Sequence, residues 1–188
     1  MRNLIIIFLA AISIPLTTIG QEDTIGWSFN GLRWEDYKTV LNPASAHDAF
    51  TYSGISFEMF EEEDTVHVVF TSYFDRSQSW VRKGHLNDTL LAHEQLHFDI
   101  MELYTRKMYA AAEPYTNKNY REFISQKYED RVRKIFSDLY NEQIMRQQNY
   151  DVETAHGQID EEQKKWTEAI HKELSDLKKY DVRSTSQQ

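Results

Sequence analysis

Residues Leu86–Pro114 read LNDTLLAHEQLHFDIMELYTRKMYAAAEP. Leu90, Leu91, Leu96, Ile100, Leu103 and Tyr104 recur at the spacing of a helix face. Asn87 or Asp88 can cap the start and Pro114 stops the run, so the pattern predicts a helix over 89–112. Within it, His93 and His97 stand four residues apart, on one face and one turn from each other. Two imidazoles so placed can both reach one zinc ion at ~2.0–2.1 Å. Glu94 lies about 100° round the helix from His93, near enough to take a proton from a water on the ion without being a ligand. Two histidine ligands and a general base on one helix are the signature of a zinc peptidase site.

Upstream of this helix, FTYSGISFEMF (50–60) and TVHVVFTSYF (65–74) are rich in β-branched and aromatic residues, with the acidic run Glu61–Asp64 between them. They read as an antiparallel hairpin. Alternation puts Val66, Val68, Phe70 and Ser72 on one face and His67 on the other, as a surface or edge residue. An edge strand beside a zinc cleft can hold an extended peptide by strand addition, a role that suits one of these strands. Residues 21–46 supply aromatic plugs (Trp27, Phe29, Trp34, Tyr37) for the base of the core, ending at Pro43, and 75–85 is a polar connector. Downstream, helical spacing predicts a second long helix from a cap at Asn117 to about Gln148, and a third over 160–180. The expected fold is α+β and zincin-like, with a small N-terminal antiparallel sheet packed on the long active-site helix plus two further long helices.

Catalytic zinc usually takes three protein ligands and keeps one position open. The extended form HExxHxxGxxH is excluded, because position 100 is Ile and position 103 is Leu. Glu122, Glu129 and Glu142 remain as candidates on the next helix, and His156, followed by Gly157, is a candidate from the loop after it. Asp99 is either a partner to a ligand or solvated. His85 and His171 have no motif context and read as surface residues.

The first 20 residues differ in kind. Arg2, the apolar run Leu4–Leu16 and the small residues before Gln21 fit a signal peptide, and the run is short for a membrane span. The expected organisation is therefore a signal peptide (1–20), one domain (21–183) and a disordered tail (184–188), in a secreted or periplasmic protein with no stable membrane insertion after cleavage. Without the leader, 21 basic side chains become 20 against 30 acidic ones, so the charge goes from −9 to −10. Such a chain has no general electrostatic affinity for nucleic acid or anionic lipid. It also has no cysteine, so stability must come from packing without disulfides, and a bound metal can add to it.

WEDYK (34–38), FTYSGISF (50–57), SWV (79–81), LLAHEQLHFDI (90–100) and YDVETAHG (150–157), in this order, resemble a bacterial family of predicted secreted zinc-dependent proteases, otherwise of unknown function. The resemblance covers roughly Trp34 to Trp166. It implies that HEQLHFDI and YDVETAHG form a joint site, with His156 as the third zinc ligand beside His93 and His97. The expected activity is hydrolysis of peptide bonds by a zinc-bound water, with Glu94 as general base. Tyr150, six residues before His156, is the expected oxyanion donor, and Asp151 is expected to orient a ligand histidine through its other ring nitrogen. The substrate is expected to be a peptide or protein. Two other readings stay open: a zinc amidohydrolase acting on a cell-wall or other non-protein amide, and a non-catalytic zinc-stabilised binding module.

Overall fold

The computed structural model describes residues 23–181 apart from 29, 42 and 43. The expected signal peptide and tail, Phe29 and Pro43 lie outside the described residues. Among the described residues, strands β1 (Thr24–Gly26), β2 (Lys38–Val40), β3 (Ala49–Phe50), β4 (Ser53–Glu62), β5 (Thr65–Asp75) and β6 (Trp80–Arg82) precede the first long helix, α1 (Asp88–Ala112). Then come β7 (Lys118–Asn119), α2 (Tyr120–Ser125), α3 (Tyr128–Thr154) and α4 (Asp160–Asp176).

The hairpin forms as its alternation requires. β4 and β5 pair antiparallel from Ser53↔Phe74 to Glu62↔Thr65. Only Glu63 and Asp64 make the turn, both with positive φ (49° and 60°), the tight geometry whose twist matches that of paired strands. Val66, Val68, Phe70, Ser72 and Phe74 are all buried, and α1 packs on this sheet. The sheet runs β1-β5-β4, with β7 also paired to β5. A second, mixed sheet runs β2-β6-β3, with β2 parallel and β3 antiparallel to β6. The expected antiparallel sheet is thus present, and this second small sheet adds to it. These extra strands have two or three residues each, too few for alternation to mark them.

Helix α1 starts where its cap predicts: Asn87 Oδ1 accepts a hydrogen bond from the Leu90 N–H at 2.9 Å. It has the sheet on one side and α3 and α4 on the other, so polar positions on it are buried along with apolar ones. Arg106 is fully enclosed. Its Nε donates to Glu102 (2.9 Å), Nη2 to Asp181 (2.8 Å) and Nη1 to the Leu174 carbonyl (3.0 Å). Asp99 is buried too, accepting from the Trp27 indole (2.6 Å) and the Gln95 amide (2.7 Å) and pairing with His171 (3.2 Å). The Gln95 carbonyl oxygen in turn accepts the Leu32 N–H at 2.6 Å. Asp99 and Gln95 thus clasp the segment around Trp27–Leu32 to the helix that bears the histidines.

The second helix departs from expectation. Asn117 takes a left-handed conformation (φ 56°) and bonds the Val66 carbonyl, and Asn119, not Asn117, caps the six-residue α2. Lys127, with φ 54°, breaks the path before α3 begins. α3 then runs on to Thr154, so Tyr150 and Asp151 are helical instead of lying in a loop. α4 stops at Asp176, and Lys178–Tyr180 form a separate short 3-10 turn.

Two outcomes follow from this polar layer. Arg106→Met removes the cation between two buried carboxylates and should cost about 3–5 kcal/mol of stability, read from urea midpoints; a loss below about 1 kcal/mol would show that it carries little. The Asp99 carboxylate raises the His171 pKa against the opposing pull of burial, so the folded state binds this proton more tightly than the unfolded chain. That contribution is complete below the ordinary imidazole value of ~6.5 and fades as pH rises through the raised one. His171→Gln should therefore melt below the parent at about pH 5.5 and level with it near pH 8.5.

Candidate metal centre

His93 and His97 point from α1 towards the last two turns of α3. Each ring is held by a glutamine through Nδ1. His97 Nδ1 donates to Gln147 Oε1 (2.5 Å), and the Gln147 amide donates back to the His97 carbonyl (2.9 Å), which settles its orientation. His93 Nδ1 donates to Gln163 Oε1 (3.1 Å), the same atom that receives the Tyr150 hydroxyl (2.8 Å). With both Nδ1 atoms donating, a ring that carries no second proton presents a bare Nε2 lone pair. These nitrogens lie 3.2 Å apart. Asp151 Oδ1 lies 3.3 Å from His93 Nε2 and 3.0 Å from His97 Nε2. It is a buried oxygen with no hydrogen-bond partner.

Three acceptors thus face one another across a triangle with sides of 3.0–3.3 Å. Around a tetrahedral ion with ligands at ~2.0–2.1 Å, neighbouring donor atoms stand about 3.3 Å apart. The residues fit a small divalent cation. His156 stands at the rim, with its Nδ1 3.4 Å from Asp151 Oδ1 and its side chain 49% exposed. His93, Asp151 and His156 each offer a donor atom within 4.8 Å of the others.

The turn that carries His156 is unusual. Ala155, His156 and Gly157 all have positive φ (48°, 54° and 78°). Two of them are not glycine, and such strain persists only where surrounding bonds impose it. The Thr154 hydroxyl donates to the Tyr150 carbonyl (2.7 Å) and accepts the Gly157 N–H (3.2 Å), while the His156 N–H reaches the Asp151 carbonyl (2.8 Å). Gly157 presses on the His93 ring, where an added Cβ would lie 2.9 Å from Cγ. Only glycine fits there.

Tyr150 reaches the site from α3. Fully buried, it stacks on His93 with centroids 4.6 Å apart, and its hydroxyl also lies 3.1 Å from the His93 carbonyl. Burial first, then the Glu94 carboxylate, push its phenol above the ordinary range, and the same two causes raise Tyr37. Burial raises the Asp151 carboxyl, but the facing His93 and His97 rings outweigh it and hold the group below the usual carboxylate range. Burial lowers His97, and Asp151 and Glu94 more than reverse it.

The expected residues His93, Glu94, His97, Tyr150 and His156 are therefore brought together. Asp151 differs from expectation. It faces the metal-side nitrogens of His93 and His97, and the outer nitrogens belong to Gln147 and Gln163. Glu129 pairs with Arg133 (2.7 Å) one turn further along α3, Glu122 receives the Tyr128 hydroxyl (3.4 Å), and exposed Glu142 belongs to a groove with Tyr104. None of these glutamates joins the cluster. The residues that sequence reasoning did not single out are Gln147 and Gln163; for Gln147 the signal is its i, i+3, i+4 spacing with Tyr150 and Asp151, one face of a helix whose expected end is 148.

Residues 74–157 match the model of a family described as "Bacterial protein of unknown function (DUF922)". The matched span holds His93, His97, Asp151 and His156, together with Gln147, and leaves out Gln163 and α4. No curated protein and no solved structure matches the chain.

Gln147→Ala should lower metal affinity by about 10–100-fold, read by competition with a chromophoric chelator. A change under about twofold would show that the His97 ring is oriented without it.

Proposed function

We propose that the protein is an exported, zinc-dependent metallopeptidase, zincin-like in carrying two ligands and the general base on one helix. The observation that carries this reading is the convergence of three acceptor atoms, His93 Nε2, His97 Nε2 and Asp151 Oδ1, beside the carboxylate-bearing residue Glu94. His93, His97 and Asp151 would hold the ion. When bound, zinc supplies a Lewis acid that polarises an amide carbonyl and makes water acidic enough to ionise near pH ~7. Glu94 takes the water proton and passes it to the leaving nitrogen. Gln147 and Gln163 fix the ring tautomers. Tyr150, read from the sequence as the oxyanion donor, has its hydroxyl committed to Gln163 and the His93 carbonyl, so we assign it to positioning. The expected strand addition falls to β4, since β5 lies inside its sheet and β4 at the edge.

A second reading is favoured by one distance. His156 lies 3.4 Å from Asp151 Oδ1, and a fourth protein donor on the ion would close the site and make it a non-catalytic, zinc-stabilised module.

Glu94→Gln and His156→Ala separate the two. Under the peptidase reading, Glu94→Gln retains stoichiometric zinc while hydrolysis of a peptide library falls by about 10²–10⁴-fold, and His156→Ala keeps most of its metal. Hydrolysis that survives Glu94→Gln removes the general-base assignment. A parent protein without hydrolysis whose zinc is lost in His156→Ala supports the closed module.

A further inference from the structure

Amide hydrolysis needs a hydrogen-bond donor where the carbonyl oxygen becomes negative, and such a donor has to be free to turn towards substrate. Around this centre most donors are already engaged. The Tyr150 hydroxyl is held by Gln163, the buried Tyr37 hydroxyl is paired with Thr51 Oγ1 (2.7 Å), and the Gln147 amide is spent on the His97 carbonyl.

Residues 47–51 form a wall alongside the cluster. At one end, the Thr51 hydroxyl lies 3.4 Å from the Glu94 carbonyl oxygen. At the other, the His47 ring packs edge-on against His156, with centroids 4.7 Å apart. The wall is fastened to β6 through its backbone: the Arg82 N–H donates to the Asp48 carbonyl (2.7 Å), and Arg82 Nη2 to the His47 carbonyl (3.1 Å). The His47 N–H is taken by Ser45 Oγ (3.1 Å). His47 is thus an exposed side chain on a tethered backbone. Among the described residues, no hydrogen bond or ion pair engages its ring.

We propose that His47 is a catalytic residue of this centre, its ring N–H donating to the amide oxygen as negative charge develops there. The proposal rests on the peptidase reading and adds a substrate contact to it. A neutral imidazole always keeps one N–H, so the role needs no change of protonation. In the step itself, a water oxygen bonds to the amide carbon and its proton moves to Glu94. That proton reaches the amine nitrogen as the C–N bond breaks, and the electron pair held on the carbonyl oxygen re-forms the double bond. His47 ends as it began.

The test uses zinc-loaded full-length parent, His47→Ala and His47→Gln, the last keeping an N–H donor. Three quantities are read: zinc per chain, kcat and KM on a peptide library pool, and Kd for an alanine-based phosphinic pseudopeptide, whose tetrahedral oxyanion mimics the charged state. His47→Ala should bind the pseudopeptide at least tenfold more weakly and lose about 100-fold in kcat with KM little changed. His47→Gln should recover part of both, with zinc at one per chain throughout. If His47→Ala matches a parent that binds and cleaves, the His47 role fails and the peptidase reading stands. If zinc falls in His47→Ala, the residue is a ligand and the proposal is overturned. A parent that neither binds the pseudopeptide nor cleaves removes both.

Discussion

Two imidazole nitrogens and a carboxylate oxygen, all electron-pair donors, are held 3.0–3.3 Å apart at the meeting of α1 and α3. Such atoms do not gather unaided. Each brings lone pairs to the same small volume, and the least exposed of the three residues, His93, is almost entirely withdrawn from water. A cation bound among them, as proposed, would offset that crowding, and the surrounding protein resists their separation.

That resistance has two layers. Nearest the rings, Gln147, Gln163 and Tyr150 meet the histidines from two helices, so neither ring can rotate without breaking a buried bond. Behind them, α1 is clasped on its far side by the Asp99–Gln95 link to Trp27 and Leu32 and by the enclosed Arg106. The strained turn at 155–157 adds a steric stop, because Gly157 closes directly on the His93 ring. A site this firmly held loses little on binding, since its donors are already arranged.

Much of this was legible beforehand, and the exceptions have physical causes. The bounds of α1 came within one residue because a cap, a periodic face and a proline all agree. The β4–β5 hairpin and its buried face followed from alternation over ten and eleven residues. The break at Lys127 left no mark, because a lysine in a left-handed conformation looks like any other lysine. At the other end, the apolar periodicity stops at Ile144, so the expected helix ended near Gln148, six residues short of Thr154, which hid the shared face of Gln147, Tyr150 and Asp151. Asp151 itself carried a visible motif, but which nitrogen of a histidine it meets is decided by the packing of helices and not by local spacing. His47 had no local signal at all, since its neighbour His156 comes from the opposite end of the domain.

The donors and their holders are spread from residue 93 to residue 163, and this has a consequence for the order of events in a growing chain. When the HEQLH segment leaves the ribosome it has two imidazoles and nothing to aim them. The carboxylate arrives nearly sixty residues later, and the glutamine that orients His93 later still, on α4. A half-made polypeptide is therefore a poor scavenger of metal. On the proposed metal-binding reading, ion capture would coincide with the docking of the last helices, so occupancy would report that the whole domain has closed.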